Sequence, residues 1–376
     1  MKQNLFYLIA VIAALQLAFA ACKKDVPISD VTLDKTSLVL NVGDTATLEA
    51  SILPDNASNK ALKWTSSNPA AAKVSATGLV TAESIGTATI TVSTEDGDKK
   101  ASCDVRVATT MRMVSQYSGN MRIWLAGSGT ATIDWGDGLP STTYTLSAER
   151  KEYSRNYSDA TPRTISISGE NIVNLRCYSN QLTSLDVSKN TVLTELHCDN
   201  NQLTSLDISK NTELIYLLCY GNQLTDLDVS KNTELTYLHC GNNKLTSLDV
   251  SKNTALTSLF CHENQLTSLS MGANTELGVL NCIKNLLKNI DISGCSSLRE
   301  LYCNDNELTS LNVSANTALI ALHCSNNKLQ VDALNDLFNS LPNVSTGGIG
   351  IKDNPGATDT GLNTSIATTK GWKITD

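Results

Sequence analysis

Residues 193–213 read LTELHCDNNQLTSLDISKNTE, and close variants of this stretch recur every 21 residues. The period is marked by eight cysteines: Cys177, Cys198, Cys219, Cys240, Cys261, Cys282, Cys303 and Cys324. A fixed period of this size is typical of stacked structural repeats, which form an array rather than one globule. The spacing therefore predicts a solenoid over residues 171–330.

Each repeat carries the pattern of a short strand followed by a turn. Leu193, Leu196, Cys198, Asn201 and Leu203 fit the template L-x-x-L-x-L-x-x-N/C-x-L, with Cys in the third apolar slot. Leu196 and Cys198 are two residues apart, so their side chains share one face of the strand. Because this face is apolar in every copy, and buried Cys behaves as a small hydrophobe, we expect it to line the core.

Two polar positions recur with the same period. Asn stands three residues after each cysteine of the series, where a buried amide can satisfy backbone groups exposed by the turn. Another position holds Asp186, Asp207, Asp228, Asp249 and Asp291. Because Ser270 and Asn312 take that position in two repeats, we expect a short side chain that holds a turn, not a ladder of calcium ions.

The cysteines could be free or bridged. Stacked parallel strands bring them within the Cα distance of a disulfide. However, side chains on neighbouring strands point the same way, whereas a bridge needs opposed Cβ vectors, so free and buried thiols are expected. Cys295 occupies the position of Asn190 and Asn211 in other repeats. Neither Cys295 nor Cys103 is assigned a role.

Residues 171–330 resemble the leucine-rich repeats of bacterial surface proteins, in particular the Cys-bearing, 21-residue repeats of Bacteroidetes lipoproteins. The resemblance implies a curved solenoid with a parallel β-sheet on its concave side, where ligands usually bind. After Leu329 the period ends. Apolar spacing predicts a helix up to Pro342, and the residues beyond it suggest strand, helix and strand, so residues 331–376 are expected to form a small α/β cap.

The chain begins with the pattern of an export signal. A basic start, an apolar stretch and small residues before Cys22 predict a signal peptide at 1–21 and a polar tether at 22–30. The apolar stretch is too short to span a membrane stably. Its end resembles a lipoprotein signal, in which Cys22 is lipidated and becomes the first residue. We favour lipidation, because Cys22 would otherwise be an exposed free thiol, and the alternative is ordinary cleavage after Ala20 at an A-x-A site.

Residues 31–108 combine β-branched and alternating runs with turn clusters, which predicts an all-β domain with Trp64 as its central apolar anchor. The runs LNVGD at 40–44, WTSSNP at 64–69 and GTATI at 86–90 are similar to those of bacterial immunoglobulin-like group 2 domains. That resemblance implies a small β-sandwich, as used in surface adhesins and stalks. It says little about function, because one fold hosts many roles.

Residues 109–170 predict a β-rich module. Runs such as 121–125 and 130–135 alternate like strands, and DWGDG at 134–138 faintly resembles PKD-type β-sandwich modules. Asp134 and Asp137 are expected to hold a turn rather than a cation. Because terminal repeats need protection, we expect the module to cap the N-terminal edge of the solenoid.

Composition argues against several classes of function. The net charge is −8 and no basic cluster with interleaved aromatic residues occurs, which disfavours nucleic-acid binding. The chain lacks a G-x-S-x-G, P-loop or H-E-x-x-H motif; the run HENQL at 262–266 has no second His. We therefore expect no enzyme, no cofactor and no metal site, and a monomeric protein.

Variation between the repeats is concentrated on one face of the strands. All four histidines of the chain lie there, while the turns are nearly constant. We expect a ligand-binding surface on the concave side, formed by Tyr216, Tyr220, Tyr237, His239, Phe260 and His262. The alternative is that aromatic residues simply suit strands. A metal site at His239 and His262 lacks a convincing third ligand.

These observations predict an exported lipoprotein of the outer membrane, exposed at the cell surface, that binds a ligand without catalysis. Its membrane contact would be the lipid anchor only, and its partner a host or microbial surface protein or a glycan. The alternative is a structural or scaffold envelope lipoprotein that mediates protein–protein assembly. The sequence leaves open the ligand's identity and which face of the outer membrane carries the protein.

Overall fold

The structure, a computed structural model, describes residues 25–95 and 98–375 of the chain. The expected signal peptide and lipidation at Cys22 lie outside the described residues and stay predictions. The chain divides after Ala108 into two compact units. The division falls within the strand Lys100–Ser115, whose residues up to 108 pair in the first unit and whose residues 109–115 pair in the second.

The first unit is an immunoglobulin-like arrangement of short strands. They are Asp30–Leu33, Ser37–Asn41, Thr45–Thr47, Ala50–Leu53, Leu62–Ser66, Ala72–Val74, Leu79–Ala82, Gly86–Thr94 and the first part of Lys100–Ser115. Along its long strands buried and more exposed residues alternate, and the buried ones form the core. Ile90, Cys103 and Val105 are fully or almost fully buried there. Trp64 was expected at the centre of this core. Instead it is partly exposed and packs against the core, with its ring close to Gly78.

The second unit begins with antiparallel strands of four to sixteen residues. They are Gly119–Asp134, Thr142–Thr145, Lys151–Tyr157, Arg163–Arg176 and Leu182–Asp186. Arg163–Arg176 pairs antiparallel with Gly119–Asp134, and its end pairs in parallel with the first strand of the repeats. The β-rich module and the repeats therefore share one sheet. The expected turn at Asp134 and Asp137 is present, since both side chains accept backbone N–H groups two residues on.

The repeats add one three-residue strand each to this sheet. The strands are Glu195–His197, Tyr216–Leu218, Tyr237–His239, Ser258–Phe260, Val279–Asn281, Glu300–Tyr302 and Ala321–His323. They pair in parallel with a constant offset of 21 residues. A small second sheet joins Ser247–Asp249 to Ser268–Ser270. The leucines and cysteines of the repeats line one continuous core, and the eight cysteines of the series are fully buried.

The amide ladder after the cysteines connects each repeat to the one before. Asn222 donates to the carbonyl oxygens of Cys198 and Cys219 at 3.0 and 3.1 Å, and its Oδ1 accepts the N–H of Leu203 at 3.0 Å. The same pattern recurs in the other repeats, which confirms the expected structural role. The Asp ladder also has the expected role, because Asp207 and its counterparts accept the N–H of the Ser two residues on.

A second Asn ladder lies on the far side of the core. Asn211 donates to the carbonyl oxygens of Val187 and Asn190 at 3.0 and 2.7 Å, and Asn232, Asn253, Asn274 and Asn316 repeat this geometry. Cys295 takes the equivalent position and is fully buried. A thiol cannot supply the two N–H donors of an amide, so the ladder is weakened at that point.

The residue two positions after each cysteine of the series has a left-handed backbone. These residues are Ser179, Asn200, Gly221, Asn242, Glu263, Lys284, Asp305 and Asn326, with φ between 50° and 64°. Glycine tolerates this conformation freely, whereas residues such as Glu263 and Lys284 are strained there. The turn that ends each strand is thus the same in every repeat, whatever residue occupies it.

The C-terminal residues form the expected α/β cap. It contains the helix Val331–Ser340, the strand Gly347–Gly350, the 3₁₀ helix Pro355–Thr358, the short helix Ser365–Thr369 and the strand Trp372–Thr375. The two strands extend the parallel sheet of the repeats. Trp372 is almost fully buried and donates from Nε1 to the carbonyl of Pro342 at 2.8 Å. Within residues 25–95 and 98–375, no helix is long and apolar enough to cross a membrane.

Candidate functional site

The face of the parallel sheet opposite the core, here called the open face, carries the variable side chains. In each three-residue strand the central leucine is buried, and the two flanking residues point to the other side. Tyr237 and His239, for example, flank the buried Leu238. The open face is the face that the sequence predicts to be concave.

The six residues predicted to bind ligand lie together on this face. Tyr216, Tyr220, Tyr237, His239, Phe260 and His262 are referred to below as the aromatic cluster. Ring centroids are 6.1 Å apart for Tyr216–Tyr237, 5.5 Å for Tyr237–Phe260, 5.4 Å for His239–Phe260, 4.3 Å for Tyr220–His239 and 5.2 Å for His239–His262. All six rings are therefore linked through contacts. Their role in ligand binding stays a prediction.

Several of these rings present edges rather than faces to solvent. Tyr220 and His239 stack at an interplanar angle of 21°, and Tyr216 and Tyr237 at 30°. Because the two rings of each pair come from neighbouring repeats about 4.8 Å apart, the rings stand upright on the sheet and each covers part of one face of the other. Only Tyr216 is highly exposed, at 46%, and the other five are half-buried. Tyr220 and Tyr237 are thus half-buried against their neighbours rather than free in solvent.

The two histidines of the aromatic cluster are held in their neutral form. Burial, with a smaller contribution from His262, lowers the pKa of His239 to about 4. Burial also lowers the pKa of His262. In the described part of the chain, His239 Nε2 and His262 Nδ1 are buried without a hydrogen-bond partner. No group of three His, Cys, Asp or Glu side chains among residues 25–95 and 98–375 could hold a metal ion.

A buried carboxylate supports one edge of the aromatic cluster. Asp199 is only 4% exposed, and burial raises its pKa. It accepts a hydrogen bond from Asn200 Nδ2 at 3.0 Å, and the nearby Tyr220 side chain partly offsets the effect of burial on its pKa. Asp199 and Tyr220 stand at equivalent positions of neighbouring repeats, so this carboxylate lies beside the ring at the N-terminal edge of the aromatic cluster.

A group of charged side chains, here called the charged cluster, adjoins the aromatic cluster on its N-terminal side. It consists of Arg150, Arg176, Glu195 and His197. Glu195 Oε1 lies 3.0 Å from Arg150 Nη1, 2.6 Å from Arg176 Nη2 and 2.7 Å from His197 Nε2. Burial opposes ionisation of Glu195, but hydrogen bonds from His197 and Arg176 prevail and lower its pKa to about 2.

The β-rich module adds residues to the open face that were not predicted as site residues. Trp124 lies opposite Arg176 in the sheet, and its ring stacks on Tyr178 at 4.9 Å with an interplanar angle of 8°. Arg150, just before the strand Lys151–Tyr157, reaches Glu195. The alternation of residues 121–125 indicates that Trp124 faces away from the core, but the pairing of Gly119–Asp134 with Arg163–Arg176 was needed to place it beside the repeats.

Two family models match the chain. The bacterial Ig-like domain (group 2) matches residues 27–105, and a model of leucine-rich repeats in two copies matches residues 212–253. The chain therefore contains an Ig-like domain followed by leucine-rich repeats. This combination fits a protein-binding or adhesion role.

The similarity to individual proteins covers limited parts of the chain. An Ig-like virion protein of Serratia phage KSP90 is 42% identical over 84 residues, which is 22% of this chain and 33% of that protein. An alpha-L-arabinofuranosidase of Bifidobacterium longum is 43% identical over 82 residues, which is 22% of this chain and 8% of the enzyme. The chain thus matches about a third or less of the length of these curated relatives.

Among solved structures, the functional domain of InlJ from Listeria monocytogenes, which includes a cysteine ladder, is 34% identical. The likeness covers 56% of this chain and 50% of that one, with a TM-score of 0.41.

Proposed function

We propose that the chain is a non-enzymatic surface lipoprotein that binds a partner protein on the open face of its leucine-rich repeats. Export, the lipid anchor at Cys22, the outer-membrane location and display at the cell surface rest on the N-terminal residues of the sequence. The observation that supports the binding role most strongly is the aromatic cluster. Six rings from three neighbouring strands gather on one face, and the strand positions around them are the variable part of an otherwise monotonous repeat.

The upright rings favour a protein over a glycan as the ligand. A sugar stacks on the open face of an aromatic ring, but Tyr220 and His239 cover each other's faces at 4.3 Å. A protein surface can instead pack apolar side chains between and against ring edges, and Tyr is enriched among residues that dominate protein interfaces. Tyr216, which is 46% exposed, supplies such a contact.

The proposal is tested by binding the purified protein to arrays of host and microbial surface proteins and to glycan arrays. We expect at least one protein to bind, and to lose binding when the aromatic cluster is altered. Binding only to glycans would contradict the choice of a protein partner. A failure of both arrays, with reproducible cross-links to other envelope proteins in the native membrane, would favour the scaffold role.

A further inference from the structure

A hollow of about 340 Å³ opens between the charged cluster and the aromatic cluster. Its apolar wall is formed by Tyr216, Leu218 and Tyr237 from two neighbouring strands. Its other side is formed by the four residues of the charged cluster. The hollow is therefore divided into an apolar half and a charged half, and the two halves meet on the open face.

The charged half has an excess of positive charge. Two guanidinium groups, of Arg150 and Arg176, share the single carboxylate of Glu195. Each guanidinium has five N–H donors, and the hydrogen bonds to Glu195 use Nη1 of Arg150 and Nε and Nη2 of Arg176. Further donors therefore remain at the rim, where Arg150 is 45% exposed. A second carboxylate could bind there without displacing Glu195.

The apolar half offers little to a polar ligand. Leu218 has no polar side-chain atom, and the rings of Tyr216 and Tyr237 contact each other across the wall. The charged groups all lie on the opposite side, and the only polar atoms of the apolar half are the hydroxyls of Tyr216 and Tyr237. A sugar carries hydroxyl groups around its whole ring and would leave several of them against this wall without hydrogen bonds, which is unfavourable. An apolar side chain with a carboxylate close by matches both halves.

We propose that the hollow is a specificity pocket that receives an apolar side chain of the partner protein while an adjacent acidic residue contacts Arg150 and Arg176. The inference rests on the proposed function and narrows the partner to one that presents an apolar residue next to Asp or Glu. The recognition is local. A dipeptide carries both groups that the pocket would contact, so the proposal can be tested before any partner is known.

The probe is N-acetyl-Phe-Asp-amide, titrated into the ¹⁵N- and ¹³C-methyl-labelled protein. We expect saturable shifts of the Arg176 Nε–H and Leu218 methyl signals at millimolar probe. N-acetyl-Phe-Asn-amide, which lacks the charge, and N-acetyl-Gly-Asp-amide, which lacks the apolar group, should each bind at least fivefold more weakly. Equal binding of all three, or no shift at these two residues, would overturn the pocket.

Two further arms separate the alternatives. Methyl glucuronoside carries the same carboxylate on a sugar, and if it binds as tightly as the Phe-Asp probe, the pocket serves acidic glycans and the proposal is wrong. Arg150→Gln should weaken the Phe-Asp probe at least threefold. The matched control Arg299→Gln, an exposed arginine several strands away, should leave its affinity unchanged.

The same measurements distinguish failure of the pocket from failure of the proposed function. If a protein partner is found whose binding depends on Tyr220 and Tyr237 but not on Arg150, the function stands and the pocket is wrong. If the Phe-Asp probe binds but no protein on the arrays does, the pocket stands and the proposed function is contradicted.

Discussion

The side-chain oxygen of Asn222 accepts the backbone N–H of Leu203, which belongs to the preceding repeat, at 3.0 Å. The same amide donates to the carbonyl oxygens of Cys198 and Cys219. One side chain therefore satisfies three buried backbone groups across a junction between repeats. Because a buried group left without a partner costs more than its hydrogen bond contributes, such a position should be intolerant of change.

We expect Asn222→Ala to lower the free energy of unfolding by about 2–4 kcal/mol, since three buried backbone groups lose their partner. Urea denaturation followed by circular dichroism measures the change. The neighbouring Gln223→Ala, at an exposed position, should alter stability by less than about 0.5 kcal/mol. Similar effects of the two substitutions would show that the ladder contributes little.

Cys295→Asn should stabilise the protein by about 1 kcal/mol, because an amide at this position can donate to the carbonyl oxygens of Met271 and Asn274 as its counterparts do. Asn211, for example, donates to the equivalent carbonyl oxygens of Val187 and Asn190. The reciprocal change Asn253→Cys should destabilise. The change in stability of each variant is measured from its urea denaturation midpoint. A loss of stability in Cys295→Asn would mean that the packing around Cys295 fits the thiol better than an amide.

The thiols of the eight-cysteine series should not react in the native protein. They are fully buried, and burial raises the pKa of Cys240 and of Cys282 to about 12, so the reactive thiolate is scarce at pH 8. Iodoacetamide followed by mass spectrometry should label these eight positions only after denaturation. Positions that stay blocked in denaturant until a reductant is added would indicate disulfides.

Acid should destabilise the protein partly through His239. Its pKa is 6.5 in ordinary surroundings and about 4 in the folded protein, so the unfolded chain binds more protons between these values. The stabilising contribution of the neutral imidazole is complete above pH 6.5 and declines as the pH falls towards 4, by about 1–2 kcal/mol after allowance for partial solvent screening.

The variant His239→Phe isolates this contribution. The rings that contact His239 are those of Tyr220, Phe260 and His262. The charged groups that act on these neighbours are Asp199 at Tyr220, and Glu263 and Lys284 at His262. Wild type should lose more stability between pH 7 and pH 4.5 than His239→Phe does. His323→Phe, which leaves His239 in place, should behave like wild type, and parallel profiles for all three proteins would contradict the assignment.

The double change Tyr220→Ala with Tyr237→Ala should weaken partner binding by about 2–4 kcal/mol if these rings anchor the interface. Since both rings are half-buried, we also expect a loss of about 2 kcal/mol in stability. The binding loss is measured by titration calorimetry at a temperature where both proteins are folded. Lys210→Ala with Lys231→Ala, in the exposed turns away from the open face, should be nearly neutral, and equal losses from both pairs would place the site elsewhere.

The repeat architecture was predictable because its cause is periodic. Leu196, Cys198 and Asn201 recur at fixed spacing, and each has one physical role that every copy shares. The gathering of Tyr216, Tyr220 and Tyr237 on one face follows from the same spacing. The upright packing of their rings does not, because it depends on rotamers chosen by neighbours on adjacent strands. Arg150 could not be predicted as a site residue, because its position depends on how the β-rich module joins the sheet.

The Asn ladder has a consequence for how the protein can change over generations. Asn222 bonds only within its own repeat and the one before, and the left-handed residue that ends each strand repeats with the same φ. When a block of 21 residues is duplicated or deleted, the repeats at the new junction therefore present the same hydrogen-bond partners as before. Loss of part of a block would change the 21-residue spacing at the junction, so the amide there would no longer meet its partners in the repeat before. Gene rearrangement can accordingly lengthen or shorten the binding face in whole units, while the two ends of the array stay as they are.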